Sequence, residues 1–414
     1  MRIRNLGVVL TFLATLAGCG GGGGGGGGGG SSVGSGGSVN PVPTAPNVLP
    51  IAVGSGLAPV ANVNVPLVSV TICAPGSTTA CQTIDHVLLD TASTGLRILA
   101  PALDTSLGLP PQANENGDSL AECVAFVDSY AWGAVRLADV RLGGATTTTI
   151  PVQIIADATF PTIPASCSSL GPAAANTVQS FGANGVLGVS AFLEDCGPVC
   201  AQFVIPGTYY TCSNGACNPV ATTLDRQVRN PVAALASDNN GFVIELASVP
   251  AAGAATVSGT LTLGIGTQSN NAMGSVVAFD LDTSGNLKTT FKTQTLTAFF
   301  DSGSNALFFP DSTIPVCDSA SAAPGFYCPA ATQELSAVVQ GAANGVTGNV
   351  NFSVANAAAL ATNAPTFTAF ANLAAPVSWA PVFDWGLPFF YGRRVVMAIE
   401  QRSTPAGTGP FVAY

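Results

Sequence analysis

The stretches "HVLLDTASTGLRIL" (residues 86–99) and "AFFDSGSNALFFP" (residues 298–310) are two copies of one pattern. In each copy an apolar run ends in an aspartate, and small hydroxyl-bearing residues and a second apolar run follow it. The apolar runs predict that Asp90 and Asp301 stand at the ends of buried strands, where hydrogen bonds have to satisfy their carboxyl groups. One such site indicates a turn, whereas two copies 211 residues apart indicate a duplicated β-lobe and a pair of acids.

The rest of the chain favours β-strands joined by tight turns. The segments "NVNVPLVSVTIC", "WGAVRLADVRLGG" and "TVSGTLTLGIG" alternate apolar and polar residues or run apolar in short bursts, and turn residues separate such segments. One short helix is predicted near Thr332–Val339, ending before Gly341. The predicted fold class is therefore all-β and rich in hairpins.

The composition bounds the size of the fold and its partners. The 414 residues are 47% hydrophobic and 8% charged, enough for two ordinary domains or one large β-rich domain. Twelve Lys and Arg against 22 Asp and Glu give a net charge of -10. This charge disfavours electrostatic binding to nucleic acid or to anionic lipid headgroups, and we expect neither partner.

The first residues predict export. Two arginines precede the apolar stretch Leu6–Leu16, which is too short to span a bilayer and is typical of a secretion signal. The stretch ends in Leu-Ala-Gly-Cys, which resembles the bacterial lipobox, where a peptidase cuts before the cysteine and the new terminus is acylated. The resemblance implies a lipid anchor at Cys19 and, with Gly20 after it, the outer membrane of a Gram-negative bacterium. The alternative is a plain signal peptide with an incidental cysteine.

Four segments follow from these patterns. We predict a lipoprotein signal peptide over 1–18 and a Gly/Ser/Pro-rich tether over 19–50, because such a segment cannot offset its ordering entropy by burial. An N-terminal β-lobe is predicted over 51–229 and a C-terminal β-lobe over 230–414, divided at a turn-rich stretch.

The cysteine count agrees with export. Of the eleven cysteines, ten remain beside the lipidated one, and disulfides are the default outside the cytosol. Although sequence alone does not fix connectivity, the spacing favours these close pairs and one leftover pair: Cys73 and Cys81, Cys196 and Cys200, Cys212 and Cys217, Cys317 and Cys328, Cys123 and Cys167. The alternative is a zinc site made by the four cysteines between residues 196 and 217.

Two carboxyl groups brought face to face would carry a specific chemistry. They cannot both ionise easily, so they share a proton; one acts as general base on a water while the other donates to a carbonyl oxygen. His86 is the single histidine and lies about 13 Å along an extended strand from Asp90, too far for a direct hydrogen bond. We therefore expect no serine-histidine triad on this residue, no metal and no cofactor.

These residues resemble a known family. Asp90-Thr91-Ala92-Ser93 and Asp301-Ser302-Gly303-Ser304 are similar to the two Asp-Thr/Ser-Gly-Ser/Thr signatures of pepsin-like aspartic peptidases. The segments 184–192, 259–267 and 385–400 resemble the family's other glycine-containing segments, in the family's order. The resemblance implies a bilobal pepsin-like fold with two related β-barrel lobes and a cleft between them. With its lipobox and glycine tether, the chain more narrowly resembles a family of uncharacterised bacterial lipoproteins with that fold.

The resemblance assigns roles to the signature residues. Asp90 and Asp301 would be the catalytic dyad, while Thr91 and Ser302 would bond the opposite lobe and lock the two loops together.

Ser93 and Ser304 would brace the outer carboxylate oxygens. Because such hydroxyls favour the ionised form, the shared proton should be lost at a fairly low pH, and we expect an acidic optimum.

The sequence departs from the family's pattern in three places, of which the first two lie in the signature and the flap, and the third is the missing basic pro-segment. Ala92 stands where glycine is usual, and it is tolerated only if its φ is negative. In the flap, the hairpin that closes over substrate, Phe126 stands at the position of the family's tyrosine, and Val127 and Ser129 replace glycines.

Phe126 covers a cleft but cannot donate a hydrogen bond. Tyr130 or Trp132 would substitute from a shifted turn. The alternative is a hairpin that serves only as scaffold of the lobe.

Two functions follow. The first is an aspartic endopeptidase that acts on extended peptide or unfolded protein outside the cytoplasm. The second is a catalytically inactive lipoprotein that binds a peptide or another ligand in the cleft, which Ala92, Phe126 and the uncharged stretch between Cys19 and Ile51 favour, because the family's zymogens carry a basic pro-segment there.

The acids outside the signatures are predicted to be loop or edge charges, and they are Glu122, Asp128 and Glu194.

Overall fold

The computed structural model of the protein describes residues 45–57, 62–126, 129–213, 215–377 and 380–414. The predicted signal peptide, Cys19 and most of the predicted tether lie outside these ranges. The first strand begins at Val48, so residues 48–50 belong to a sheet and not to the tether. Within the described ranges, no helix is both long and apolar enough to cross a membrane.

Short strands account for most of the regular structure. In the first part of the chain the strands are β1 (Val48–Gly54), β2 (Val65–Cys73), β3 (Cys81–Asp90), β4 (Thr94–Leu99), β5 (Ser119–Ala125), β6 (Tyr130–Leu142), β7 (Ala145–Thr146), β8 (Ile150–Ile155), β9 (Gly185–Val189), β10 (Tyr209–Ser213), β11 (Ala216–Pro219) and β12 (Gly241–Leu246). In the second part they are β13 (Val257–Leu263), β14 (Ala278–Asp280), β15 (Leu287–Phe291), β16 (Gln294–Phe300), β17 (Leu307–Phe308), β18 (Gln333–Gln340), β19 (Thr347–Val354), β20 (Ala374–Ala375), β21 (Val382–Trp385), β22 (Arg394–Ala398), β23 (Ser403–Thr404), β24 (Gly407–Thr408) and β25 (Phe411–Ala413). The helices are short: α1 (Ala165–Ser168), α2 (Val178–Phe181), α3 (Pro198–Gln202), α4 (Ala357–Asn363), and 3-10 turns at Ala100–Ala102, Thr105–Leu107, Leu224–Arg226 and Leu387–Phe389.

The first lobe closes into a barrel. Its strands pair in the order β2, β3, β9, β4, β8 and β6, and β6 pairs back onto β2. Closure removes the free edges that an open sheet would expose. Apolar side chains at alternate strand positions fill the barrel. Ile150, Val152 and Ile154, at every second position of β8, belong to the main apolar core.

The same strand arrangement occurs once in each half of the chain. β3 pairs in parallel with β9, and β9 lies antiparallel against β4. In the second half, β16 pairs in parallel with β21, and β21 lies antiparallel against β17. In both halves the strand that leads into the signature aspartate is therefore held by a later strand inserted beside it. The predicted all-β, bilobal, pepsin-like fold with two related lobes is confirmed.

The two halves are joined through β1. This strand pairs with β2 on one side and with β13 on the other, so one long sheet continues from the first barrel to β12, β22, β25 and β14. A seven-stranded sheet containing β15, β16, β18 and β21 completes the second half. The division of the lobes between residues 229 and 230 stays a prediction.

Asn64 fastens the start of β2 to the second half. Its side-chain nitrogen donates to the carbonyl oxygens of Asn305 (2.7 Å) and Phe370 (2.9 Å). Its side-chain oxygen accepts from the Phe370 N–H and from the Tyr391 hydroxyl. Asn64 is fully buried, so these four bonds satisfy it completely and fix the approach of the two halves next to the second signature.

The helix predicted near Thr332–Val339 is wrong, because this segment is strand β18. Leu335, Ala337 and Val339 pack against the core at every second position, while Ser336 and Val338 are exposed. β18 pairs along its whole length with β19. The alternation of buried and exposed side chains therefore decides its structure, although the segment contains helix-forming residues.

The disulfide pairing is as predicted. The bonds join Cys73 to Cys81, Cys123 to Cys167, Cys196 to Cys200, Cys212 to Cys217, and Cys317 to Cys328. The alternative zinc site is wrong, because the four cysteines between residues 196 and 217 are bonded to one another and have no thiolate to offer.

Candidate active site

Asp90 stands at the end of β3 and is fully buried. Its Oδ1 accepts the backbone N–H of Ala92 at 2.8 Å and that of Ser93 at 3.3 Å. Its Oδ2 accepts the hydroxyl of Ser93 at 2.5 Å. The turn after the strand therefore supplies three hydrogen bonds that offset part of the cost of burying the carboxyl group.

Asp301 follows β16 and repeats this environment. Its Oδ1 accepts the backbone N–H of Gly303 at 2.7 Å, and its Oδ2 accepts the hydroxyl of Ser304 at 2.9 Å. Its own N–H donates to the carbonyl oxygen of Trp385 on β21 (3.0 Å), which fixes the carboxyl-bearing residue to the inserted strand. Asp301 is also fully buried.

The two signature loops are interlocked by reciprocal hydrogen bonds. The Thr91 hydroxyl donates to the carbonyl oxygen of Phe300 (2.9 Å), and the Ser302 hydroxyl donates to that of Leu89 (2.7 Å). Each hydroxyl oxygen also accepts the other residue's backbone N–H, at 2.9 Å for Thr91 and 3.2 Å for Ser302. Because all four bonds cross between loops 211 residues apart, they set the spacing of the two aspartates.

The carboxyl groups of Asp90 and Asp301 lie close together around Gly303. A Cβ added to Gly303 would lie 3.1 Å from Oδ1 of Asp301 and 3.1 Å from Cγ of Asp90. Burial raises the pKa of Asp301 well above its ordinary value, and the charge of Asp90 and a hydrogen bond with it raise it further. The hydrogen bond from Ser304 opposes these effects without outweighing them. The arrangement therefore keeps a proton on the pair.

Ala92 occupies its position without backbone strain. It is not among the non-glycine residues with positive φ, so its Cβ is compatible with the turn. Its N–H still bonds Asp90, and Gly303 makes the matching bond to Asp301. The replacement of glycine at this position leaves the hydrogen bonds of the first carboxyl group intact.

Two glycines let the inserted strands approach the signature loops. A Cβ on Gly188 in β9 would lie 2.8 Å from the Ser93 backbone and hydroxyl. A Cβ on Gly386, just after β21, would lie 2.0 Å from the carbonyl oxygen of Ala306 and 2.8 Å from that of Ser304. Only glycine fits at either place, which explains the glycine in both segments that resemble the family.

A third buried carboxyl group, which the sequence reasoning missed, accompanies the pair. Asp384 lies in β21 with 1% of its surface exposed, and the Ser304 hydroxyl is the hydrogen-bonding group that acts on its carboxyl. Burial raises its pKa well above the ordinary value, Ser304 opposes the rise, and the charge of Asp90 adds to it. The signal was present in the sequence, since "VFDWG" places an acid inside an apolar run, as "VLLD" does.

The flap residues are placed differently from what the sequence predicted. Tyr130 and Trp132 do not substitute for the missing tyrosine, because they occupy one face of β6 and pack with Cys123 and Tyr210. The indole N–H of Trp132 donates to the carbonyl oxygen of Phe160 (2.8 Å). These two side chains therefore belong to the scaffold, on the opposite face of β6 from Ala131.

Phe126 packs toward the signature strand. It is 2% exposed and makes an edge-to-face contact with Phe181 at 5.8 Å between ring centroids. Both belong to an apolar cluster that also contains Leu88 of β3 and Val186 of β9. Ser129 accepts the Phe126 N–H through its carbonyl, whereas Val127 lies outside the described residues. Asp90 and Asp301 have no exposed surface, so a substrate reaches them only after a local movement of the protein.

Two of the acids predicted to be loop or edge charges are buried. Glu122 accepts from the Arg97 guanidinium at 2.6 Å, which also contacts Asp195 at 3.3 Å. All three are at most 3% exposed, and Glu194 is 8% exposed. For Glu122 the prediction is wrong because the charge of Arg97 is buried with it and offsets part of the cost. Asp128 lies outside the described residues.

His86 is a partly exposed residue of β3, but it is not the ordinary strand residue that was predicted, because its φ of 52° belongs to an irregularity in the pairing with β2. Its side chain is 43% exposed and contacts Asp85 at 3.2 Å. It therefore contributes nothing to the buried carboxyl groups.

Comparison with known proteins gives a family and a structural relative. Residues 43–414 match the model of a family described as "Protein of unknown function (DUF3443)". No curated protein matches the sequence. One solved structure that is similar to this chain is the aspartic proteinase from Irpex lacteus, with a TM-score of 0.48 and 13% sequence identity over 88% of this chain and 96% of that chain.

Proposed function

The chain belongs to the DUF3443 family, and we propose that it is an aspartic endopeptidase that hydrolyses peptide bonds with a water molecule. The observation that carries the proposal is the matched pair of Asp90 and Asp301, each bonded by its own turn and held by the reciprocal bonds of Thr91 and Ser302. Such preorganisation serves no purpose in a fold that needs only an apolar interior, because burying two acids side by side costs stability.

The proposed mechanism uses the two acids in different protonation states. Asp90 accepts three hydrogen bonds from its turn and acts as the base, while Asp301 carries the shared proton and acts as the acid. Asp90 takes a proton from water as the water oxygen attacks the peptide carbonyl carbon, and Asp301 gives its proton to the carbonyl oxygen. The resulting diol then collapses: the proton on Asp90 passes to the amide nitrogen, the C–N bond breaks, and Asp301 recovers a proton from the diol hydroxyl.

The pKa of Asp301 depends on opposing effects, and the sequence predicts only the one that lowers it, the hydroxyl group of Ser304. The hydroxyl of Ser304 does lower the pKa of Asp301, but burial and the charge of Asp90 raise it by more. The activity is still acidic, because the pair works only while it holds one proton. Its upper limit reaches a higher pH than the hydroxyl alone would allow.

We further propose that the enzyme works in the cell envelope. The lipobox-like end of the signal supports acylation at Cys19, and the glycine-rich segment after it would hold the fold off the bilayer. A Gram-negative outer membrane is the proposed site, and peptide or unfolded protein within reach is the proposed substrate. These features are similar to those of uncharacterised bacterial lipoproteins with a pepsin-like fold.

The second candidate function is a catalytically inactive lipoprotein that binds a peptide or another ligand. The observation that favours it is that Asp90 and Asp301 have no exposed surface, while Phe126 of the hairpin is itself buried in an apolar cluster with Phe181 and Val186. This candidate requires that the protein never opens far enough to admit a peptide to the pair.

A cleavage assay separates the two functions. The full-length protein in detergent is incubated with an unfolded protein across the acidic range, beside Asp301→Asn and, as a matched control, the exposed Asp318→Asn. We expect cleavage by the natural protein and by Asp318→Asn, and a loss of about a thousandfold or more in Asp301→Asn. Cleavage by none of them, or equal cleavage by all three, would leave the binding function.

A further inference from the structure

The two halves of the site differ at one matched position. In β9, Val186 lies opposite Leu88, the residue two places before Asp90. In β21, Asp384 lies opposite Phe299, the residue two places before Asp301. The repeated strand arrangement therefore places an apolar side chain beside one member of the pair and a carboxyl group beside the other.

The fold does not require an acid at this position. Val186 fills its place in the first half as part of an apolar cluster and is fully buried. Asp384 is equally buried, and the burial of a carboxyl group makes its presence costly. A residue that reduces stability in the core next to reactive groups is a candidate for a role in their chemistry.

Ser304 connects this third carboxyl group to one member of the pair. Its hydroxyl donates to Oδ2 of Asp301 at 2.9 Å and also acts on Asp384, whose pKa it lowers against the effect of burial. In turn the charge of Asp384 raises the pKa of Asp301, after burial and the charge of Asp90. Ser93 braces Asp90 in the first half, where the matched position in β9 is Val186, a member of an apolar cluster.

The three carboxyl groups of Asp90, Asp301 and Asp384 form no ion pair with a cation among the described residues. The strand residues that pair with Asp384 are Phe299 of β16 and Phe308 of β17, and neither titrates. The acids therefore act mainly on one another.

We propose that Asp384 is a positioning residue for the shared proton: it keeps that proton on Asp301 and thereby makes Asp301 the acid and Asp90 the base. Once Asp384 has lost its own proton, its charge disfavours a further negative charge on Asp301, which it neighbours through the pairing of β21 with β16, whereas Asp90 has Val186 at the matched position. The reference to acid and base rests on the proposed function, but the position of the proton does not.

The test follows the protonation of Asp301 directly. Infrared difference spectra between a protein and the same protein carrying Asp301→Asn report the protonated carboxyl of Asp301, and they are recorded against pH in the full-length protein without substrate. The measurement is made in the natural background, in Asp384→Asn, which keeps the shape, and in Asp384→Val, which copies the residue at position 186. We expect the titration midpoint of Asp301 to move to lower pH in both variants. An unchanged or higher midpoint would overturn the inference, whether or not the protein hydrolyses peptides.

Where hydrolysis is measurable, the pH profile gives a second readout. We expect the alkaline limb of kcat/KM to move to lower pH in both variants, with a loss of roughly threefold to tenfold at the pH where the natural protein is half-maximal. At the acidic plateau the loss should be smaller. A loss that is equal at every pH would indicate a purely structural role for Asp384 and contradict the proposal.

Discussion

Individual hydrogen bonds decide the geometry of the site at the scale of the residue. Thr91 and Ser302 use both their hydroxyl groups and their backbone N–H groups across the junction, and each is at most 3% exposed. Because water cannot replace these partners, the removal of one hydroxyl leaves backbone groups unsatisfied in the interior.

This leads to a prediction for Thr91. In Thr91→Val the carbonyl oxygen of Phe300 and the N–H of Ser302 lose their partner, although the shape of the side chain is kept. We expect the free energy of unfolding to fall by about 2–4 kcal/mol, measured by urea denaturation, and kcat/KM to fall with it because the spacing of the pair is disturbed.

Thr91→Ser is the matched control, since it keeps the hydroxyl and copies the residue at position 302. It should lose only the contribution of one buried methyl group, about 1 kcal/mol. If Val and Ser at this position were equally stable and equally active, the reciprocal bonds would not hold the site together.

Repetition made much of the site predictable at the scale of the element. The apolar runs before both aspartates predict buried strands, because such short bursts bounded by turn residues are typical of strands in an interior. The glycine segments predict close backbone contacts, and Gly188 and Gly386 supply them. The disulfide pairs followed from short spacing in an exported chain.

The errors at this scale have physical causes. The segment of β18 carries good helix formers, and only its pairing with β15 and β19 shows that its alternation decides. The face of β6 on which Tyr130 and Trp132 lie depends on the register of the hairpin, which the sequence does not fix. The sequence did not predict a role for Asp384, because this residue comes close to Asp301 only through the parallel pairing of β16 with β21, which are far apart in the chain.

The buried acids give the whole molecule a definite dependence of stability on pH. Burial raises the pKa of Asp195, Asp301 and Asp384 well above the ordinary 3.8. These groups bind more protons folded than unfolded, so the stability they contribute is fully present below pH 3.8 and is lost as the pH rises through their folded pKa values. Hydrogen bonds and cations lower the pKa of Asp157 and Asp311, whose contribution is instead lost below pH 3.8.

We therefore predict that the molecule is most stable in mild acid. Its Tm, measured by calorimetry on the full-length protein, should be highest near about pH 4 and should fall toward about pH 7. Asp384→Asn should flatten this fall, because it removes one of the three groups responsible for it. A Tm that rises steadily from acid to neutral pH would show that the buried acids do not titrate as described.

The central claim is that Asp90 and Asp301 act as one unit, and a double-mutant comparison tests it most directly. The measurement is kcat/KM for hydrolysis of an unfolded protein at the acidic optimum by the natural protein, Asp90→Asn, Asp301→Asn and the double variant. We predict that each single change lowers kcat/KM by about a thousandfold or more. The kcat/KM of the double variant should lie within about threefold of that of the less active single variant. Losses that multiply, or a single variant that keeps its activity, would contradict the shared pair.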